Sequence, residues 1–257
     1  MSLAPSRPIG RFRAAGIHLA ISVAVASLVL GAMLLVWYPG PFFTAMGGNN
    51  LVMILVGVDV VLGPLMTLIV FNVAKGRWLT FDLAVIGAIQ LMALAYGVHI
   101  VAEARPVYMV FAVDRFELTA ANQIRDEELA SVKRPEFRDV PWGSPRTVGA
   151  RVPVDSSEQF RIVASAASTG NDLSTFPQHF VPYADVAIAG LKRAKPLSEL
   201  RRKAPDAPQK IDRALAKLGR SEADTLFVPL KGKVKDHAVL LDAKTGAVLG
   251  FVEVFPW

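Results

Sequence analysis

Residues 51–71 read LVMILVGVDVVLGPLMTLIVF and decide what kind of protein this chain forms. The stretch is apolar and long enough to cross a bilayer, because about 20 helical residues span a hydrocarbon core of roughly 30 Å. It nevertheless contains one acid, Asp59. Two further apolar stretches, residues 17–37 and 83–102, flank it. The sequence therefore predicts a three-helix membrane anchor.

Positively charged residues are distributed unevenly around these stretches. The N-terminal tail, residues 1–16, and the connector of residues 72–82 contain Lys or Arg, whereas residues 38–50 contain neither. Cytoplasmic segments of membrane proteins are enriched in Lys and Arg. We therefore expect a cytoplasmic N-terminus, an uncleaved first span and an extracytoplasmic location for residues 103–257. The charges behind this expectation are Arg7, Arg11, Arg13, Lys75 and Arg77.

Residues 103–257 are expected to fold as one water-soluble domain. Strand signals occur at both ends of this segment, and helix signals fill its middle. The strand signals lie at 107–113, 146–152, 225–230, 237–241 and 247–255, and the helix signals at 125–132, 155–167, 196–203 and 207–218. The loop 242–246 ends in Gly and predicts a hairpin. The predicted fold is three transmembrane α-helices followed by an α+β domain.

The composition excludes several chemistries. The chain is 53% hydrophobic and has no cysteine, which excludes disulfides, thiolate metal sites and cysteine nucleophiles. It contains no phosphate-binding loop, dinucleotide fingerprint or zinc-protease motif. An aspartyl dyad is rejected because Asp59 and Asp82 lie at different membrane depths. We expect no cofactor, no metal and no enzymatic activity. His179 and His237 would support an enzyme only if their side chains were within hydrogen-bond distance of each other or bridged by one water molecule.

Asp59 has two interpretations. As an acid within a membrane span it is a candidate for binding a proton or a partner. Alternatively, it is a hydrogen-bonded carboxyl that holds the three helices together through Gln90 or Tyr96 of the third span. Gly63 and Pro64 are expected to bend the helix close to the acid.

A run of basic residues in the domain is a candidate surface for contacts. It could meet anionic lipid headgroups or an acidic protein surface, but the acids among the cations favour an ordinary solvated surface. Its members are Lys192, Arg193, Arg201, Arg202 and Lys203. Nucleic acid is not an expected partner, because the domain faces away from the cytoplasm and lacks an alternation of basic and aromatic residues.

Short motifs are distributed over nearly the whole chain and point to a family. They are Trp37-Tyr38-Pro39-Gly40-Pro41, Gly57-Val58-Asp59, Gly63-Pro64, Phe81-Asp82-Leu83, Tyr96-Gly97, Ala104-Arg105-Pro106-Val107-Tyr108, Val113-Asp114-Arg115-Phe116 and Val181-Pro182-Tyr183. By these motifs the chain resembles the type IV pilin accessory proteins of the TfpX/TfpZ kind, most strongly in residues 11–117. The motifs are specific for membership and say little about mechanism.

The resemblance implies a non-enzymatic, chaperone-like factor of the bacterial inner membrane with a periplasmic domain. Such a factor contacts membrane lipid, binds type IV pilin or pilus assembly proteins, and modulates pilin stability, assembly or surface display. The motifs also single out Arg105, Pro106, Asp114 and Arg115 as the junction between anchor and domain. The alternative function is a membrane-anchored periplasmic sensor or ligand-binding regulator that acts on a separate partner, which a deep apolar pocket would favour.

Overall fold

A computed structural model describes residues 10–72, 74 and 76–257 of the chain. These residues form two compact units. The helical unit comprises residues 10–33 and 49–102, and the C-terminal unit comprises residues 34–48 and 103–257. Each unit is built around its own set of contacts, and each is described by itself below.

Two of the helices up to residue 103 have the length and the apolar composition of membrane spans. The helices are α1 (Arg11–Ala32), which continues into a π-helical turn (Met33–Trp37), α2 (Phe42–Ala45), α3 (Gly48–Val56), a second π-helical turn (Gly57–Leu62), α4 (Gly63–Val70) and α5 (Arg77–Glu103). The two of membrane length are α1 with its π-helical turn and α5, each of 27 residues. Both begin about six residues before the predicted spans, because the helices continue through polar ends that include Arg11 and Arg77. Arg7 and Lys75, two of the cations behind the predicted orientation, lie outside the described residues.

The predicted second span differs from a single regular α-helix. Residues 48–70 are helical throughout, but the π-helical turn separates α3 from α4. Pro64, in the first turn of α4, has no N–H to donate. A helix can accommodate a proline without a main-chain donor by widening the preceding turn into a π-helical turn. Two membrane-length helices are therefore found among the described residues, and the third span remains a prediction.

Eight strands of the C-terminal unit form one mixed sheet. They are β1 (Pro106–Ala112), β2 (Arg115–Ala120), β3 (Arg146–Ala150), β4 (Phe180–Pro182), β5 (Lys195–Pro196), β6 (Thr225–Lys231), β7 (His237–Asp242) and β8 (Val248–Val252). Their order across the sheet is β4-β3-β1-β2-β6-β7-β8, and β5 pairs with β6. The pairs β1–β3 and β2–β6 are parallel and the other pairs are antiparallel.

Five helices of the same unit cover this sheet. They are α6 (Asp126–Ala130), α7 (Ser156–Thr169), α8 (Ala184–Leu191), α9 (Leu197–Arg201) and α10 (Ala207–Leu218). One apolar cluster includes Tyr108 and Phe180, and a second includes Ile211, Phe227 and Leu240. Every residue of β1 is buried, as expected for a central strand covered on both faces.

Residues 34–48, a connector in the sequence, are built into the C-terminal unit. The Ala45 carbonyl accepts a hydrogen bond of 2.9 Å from the N–H of Val234. The Phe42 ring packs edge-to-face on Phe251, with the ring centroids 5.4 Å apart. Tyr38 and Ala45 are fully buried. The domain is thus completed by a piece of chain that precedes α3, α4 and α5.

Candidate functional site

Asp59 lies on the π-helical turn Gly57–Leu62, and its side chain is buried within the helical unit. Only 8% of the residue is exposed. Its Oδ1 atom has no hydrogen-bond partner among the described residues. A buried carboxyl oxygen without a donor is costly in apolar surroundings, and acids within membrane segments are candidates for function. Asp59 is therefore the centre from which we describe the site.

Gln90 of α5 contacts the main chain of Asp59. Its Nε2 atom donates a hydrogen bond of 3.4 Å to the Asp59 carbonyl oxygen. Gly63 makes room for this contact, since a Cβ atom there would collide with Gln90 Nε2. Pro64 has no N–H and cannot bond that carbonyl in the π register. Gln90 thus replaces a missing main-chain donor, whereas a bond to the Asp59 carboxyl group was the expectation from the sequence.

A cleft opens beside Asp59 between α1 and α5. Its volume is about 190 Å³, and the polar side chains that line it belong to His18, Ser22, Asp59 and Gln90. The rest of its described lining is apolar and includes no Lys or Arg. His18 Nδ1 lies 2.6 Å from Thr67 Oγ1, so the imidazole joins α1 to α4. The Asp59 carboxyl is the one acidic group that lines the described walls of the cleft.

Other anchor residues singled out by the sequence lie apart from this cleft. Tyr96 is 68% exposed and is not part of the cleft lining. Asp82 precedes Gln90 on α5 by eight residues, which corresponds to about 12 Å along the helix axis. The structure therefore brings Asp59, Gly63, Pro64 and Gln90 together, and it leaves Tyr96 outside the group.

The residues assigned to the junction of anchor and domain do not form one group. Arg105 is buried, its Nη2 donates a hydrogen bond of 3.2 Å to the Pro141 carbonyl, and its guanidinium lies 4.1 Å from the Trp142 ring centroid. Burial lowers the pKa of Arg105. Pro106 begins β1, whereas Asp114 and Arg115 follow its far end, roughly 20 Å away at about 3.3 Å per residue.

A polar cluster fixes the connector to the sheet. Thr44 Oγ1 lies 3.3 Å from His237 Nε2 and donates a hydrogen bond of 3.2 Å to Glu253 Oε1. His237 Nδ1 lies 3.2 Å from the Lys235 carbonyl. Burial lowers the pKa of His237, which favours the neutral imidazole. The cluster therefore joins three parts of the C-terminal unit through a neutral ring.

The C-terminal unit contains a second polar cluster, which is not evident from the sequence. Glu128 of α6 is buried and accepts hydrogen bonds from Arg161, from Arg125 and from Gln178 at 2.6 Å to 3.0 Å. Arg161 of α7 also bonds Glu158. These bonds lower the pKa of Glu128 against the effect of burial. The partners are up to 50 residues apart in the sequence, so no local pattern reveals them.

The two histidines considered for an enzyme belong to separate places in the sheet. His179, immediately before β4, lies 2.8 Å from Glu158 through its Nε2 atom. His237 begins β7, and four strands lie between β4 and β7. Among the described residues no three His, Asp or Glu side chains converge on a position for a metal ion. The structure thus does not bring these two histidines together.

The candidate basic surface is divided between paired and exposed cations. Arg201 bonds both Asp212, at 2.6 Å, and Glu222, at 2.8 Å. The other four predicted members, Lys192, Arg193, Arg202 and Lys203, are exposed. Arg201 therefore holds α9 to its surroundings, and only the remaining four have the exposure that a contact surface requires.

Comparisons with known proteins agree with the resemblance noted in the sequence. The sequence model for "Fimbrial assembly protein FimB" matches residues 6–47. A fimbrial assembly protein of serogroup I from Dichelobacter nodosus is 33% identical over 230 residues, which cover 88% of this chain and 89% of that protein. The serogroup E1 protein of the same organism is 32% identical over 230 residues, which again cover 88% of this chain and 89% of that protein. A protein of serogroups C1 and C2 is 38% identical over 115 residues, covering 44% of this chain and 88% of that protein.

No solved structure is significantly similar to this chain. The relatives of serogroups I and E1 match over most of both chains, from the apolar helices to the C-terminal unit. On this full-length similarity, the chain belongs to the fimbrial assembly protein family.

Proposed function

We propose that this protein is a membrane-anchored factor in pilus assembly that binds the pilin subunit before or during its assembly. Membership of the fimbrial assembly protein family supports the role in pilus assembly. The single observation that carries the finer proposal is the joining of apolar helices to a mixed α and β domain in one chain. A subunit with a membrane helix and a water-soluble head could be contacted by both parts.

The packing of the connector supports the proposed topology. Residues 34–48 and 103–257 belong to one folded unit, so they lie on the same side of the membrane. The chain between them must then cross the membrane an even number of times. Two crossings, one by residues 48–70 and one by α5, satisfy this condition together with the crossing by α1. With the N-terminus in the cytoplasm, the C-terminal unit is periplasmic and the anchor lies in the inner membrane.

The experiment that tests this function is capture of pilin by the full-length protein. The tagged protein is expressed with the pilin of the same bacterium, crosslinked in cells and purified in detergent. We expect pilin in the purified complex, and fewer surface pili after deletion of the gene. Normal surface piliation in the deletion strain, with no pilin captured by the wild-type protein, would refute the proposal.

The sensor alternative has less support in the structure. A cavity of about 560 Å³ in the C-terminal unit is lined mainly by polar and charged residues, among them Glu103, Arg125, Asp126 and Glu127. Ligand sites are usually lined by apolar and aromatic side chains with a few converging polar groups. This cavity lacks that character, so pilin binding remains the preferred function.

A further inference from the structure

We propose that the cleft at Asp59 receives a membrane helix of a partner protein that brings an ammonium group to the Asp59 carboxyl. The inference deepens the proposed function, and rests on it in taking pilin as the natural partner. It concerns the chemistry of recognition within the bilayer. The class of ligand is a transmembrane helix with a hydrogen-bond-donating cation.

The Asp59 carboxyl group is buried and has an oxygen to which no described residue donates a hydrogen bond. Asp59 is 92% buried, since its exposed fraction is 8%, and its Oδ1 atom has no donor among the described residues. A carboxylate has about four sites at which it accepts hydrogen bonds. Leaving such a group without donors in an apolar environment costs several times more than an ordinary lost hydrogen bond. The group is therefore prepared to accept a donor that the described residues do not supply.

Two polar neighbours of the carboxyl, Gln90 and His18, make hydrogen bonds to other groups. Gln90 Nε2 bonds the main-chain oxygen of Asp59. His18 Nδ1 pairs with Thr67 Oγ1. No Lys or Arg is found in the described lining of the cleft. Since the carboxyl oxygen accepts hydrogen bonds and the described lining of the cleft contains no Lys or Arg, the complementary occupant is a cationic hydrogen-bond donor from another molecule.

The walls and the volume of the cleft limit what can occupy it. The cleft lies between two helices, with Ile21 and Val25 of α1 on one side and Leu91 and Leu94 of α5 on the other. Its volume of about 190 Å³ is several times the roughly 30 Å³ that a water molecule takes up in the liquid. The cleft therefore holds a side chain and not only a water molecule.

The helices α1 and α5, which form the cleft, have the composition of membrane spans. Inside the hydrocarbon core of a membrane a polypeptide must satisfy its own main-chain hydrogen bonds, and a helix is the form in which one segment does so. A helix can also lay an apolar face along the walls and extend one side chain inward. Gly87 lines the cleft on α5 and has no side chain, so a partner helix can approach closely at that position. A transmembrane helix is thus the occupant that fits both the carboxyl and the walls.

The test uses the purified full-length protein in phosphatidylcholine vesicles, whose headgroups donate no hydrogen bond. Association with Leu-rich transmembrane peptides of about 20 residues is measured by energy transfer. One peptide carries a single Lys about 12 Å from the membrane surface, and its matched partner carries Leu there. We expect the Lys peptide to bind about tenfold more tightly, the size of effect that an interhelical hydrogen bond gives in model peptides. A third peptide with Glu at that position should bind no better than the Leu peptide.

Variants connect the preference to the carboxyl. Asp59→Leu should abolish the advantage of the Lys peptide, and Asp59→Asn should reduce it because an amide oxygen still accepts a hydrogen bond. Tyr96→Phe is the matched control, since it removes a polar group of the same anchor outside the cleft, and it should leave the preference unchanged. Equal binding of the Lys and Leu peptides to the wild-type protein would overturn the inference. That comparison does not depend on whether the variants fold.

The outcome for pilin separates this inference from the proposed function. If wild-type protein captures no pilin while the Lys peptide keeps its advantage, the function fails and the cleft chemistry stands. If Asp59→Leu captures pilin as well as wild type does, and the peptides bind equally, the function stands and the inference fails.

Discussion

Glu128 shows how much a single side chain contributes when its partners come from distant parts of the sequence. It is buried, yet three different side chains donate hydrogen bonds to it. Breaking a buried pair by removing one partner leaves an uncompensated charge, which generally costs about 3–5 kcal/mol. We infer that this carboxylate holds α6 and α7 together more firmly than any exposed ion pair of the domain does.

We therefore expect Glu128→Ala to lower the free energy of unfolding by about 3 kcal/mol. The remaining Arg161 would keep its bond to Glu158 but lose its second carboxylate. The measurement is unfolding of the full-length protein in detergent, followed by circular dichroism. Glu127→Ala is the matched control, because Glu127 is the exposed neighbour on the same helix and should cost less than about 0.5 kcal/mol. Equal losses for the two variants would contradict the assignment.

Glu158 predicts a dependence of stability on pH. The hydrogen bond from Arg161 is the main reason why its pKa falls from an ordinary 4.5 to about 2 in the folded protein. A group with a depressed pKa stabilises the fold fully above its unfolded pKa, and the stabilisation is lost as pH falls toward the folded value. The melting temperature should thus drop between pH 4.5 and pH 2. In Arg161→Met the drop attributable to Glu158 should shrink, and an unchanged pH profile would count against this pairing.

At the scale of elements, the break between α3 and α4 is a site where two helices depend on one another. Gly63 gives Gln90 the space to reach the Asp59 carbonyl. The π-helical turn and Pro64 leave that carbonyl short of a main-chain donor. The contact of α5 with this segment therefore depends on one residue having no side chain.

Gly63→Ala should accordingly destabilise the helical unit by about 1 kcal/mol, the usual net value of a hydrogen bond. The added Cβ would displace the Gln90 amide from its position. In a Gln90→Ala background the same substitution should cost little, because the colliding group is gone. Gly31→Ala in α1 is the control, since nothing lies within 4 Å of its added Cβ. Stability is measured by unfolding in a series of detergent mixtures for the wild-type protein, the two single variants, the double variant and the control. Additive effects of Gly63→Ala and Gln90→Ala would contradict the coupling.

The connector is the other element whose packing can be tested. Phe42 is nearly buried and packs on Phe251, so Phe42→Ala should cost about 3 kcal/mol, the low end for a core phenylalanine. Limited proteolysis should then cleave residues 34–48 faster than in the wild-type protein. Phe160→Ala removes a phenylalanine that is 74% exposed in the same unit and should change neither readout by much. Slow cleavage in both variants would argue that the connector is held by other contacts.

Local patterns predicted the elements better than the contacts between them. Asp155 caps α7 by accepting a hydrogen bond from the Glu158 N–H, and Gly219 ends α10 in the left-handed conformation, as their residue types indicate. By contrast, α8 and the short strand β4 gave no recognised signal. The π-helical turn and the cleft at Asp59 depend on how α1, α4 and α5 pack. The periodicity of one segment does not reveal that packing, and it does not reveal the hydrogen bonds of Thr44 to distant residues either.

At the scale of the whole molecule, the predicted topology can be tested directly because the chain has no cysteine. Single-cysteine variants Asn50→Cys, Asn72→Cys and Lys244→Cys place one thiol each in the first turn of α3, between α4 and α5, and in the domain. With three spans, a membrane-impermeant maleimide should label the first and third in intact spheroplasts. The second should react only after permeabilisation. Labelling of Asn72→Cys in intact spheroplasts would exclude three spans with a cytoplasmic N-terminus.

The placement of residues 34–48 within the C-terminal unit also has a consequence for the order of synthesis. Translation proceeds from the N-terminus, so this segment leaves the ribosome before α3, α4 and α5 and long before β7 and β8 exist. Its partners at Val234, His237 and Phe251 follow α10 in the chain and are therefore made much later. The apolar side chains of the segment therefore stay without their packing partners while the rest of the chain is synthesised, and a chaperone could bind them during that time. A fragment that starts at residue 103 would never receive them and would expose the surface they cover.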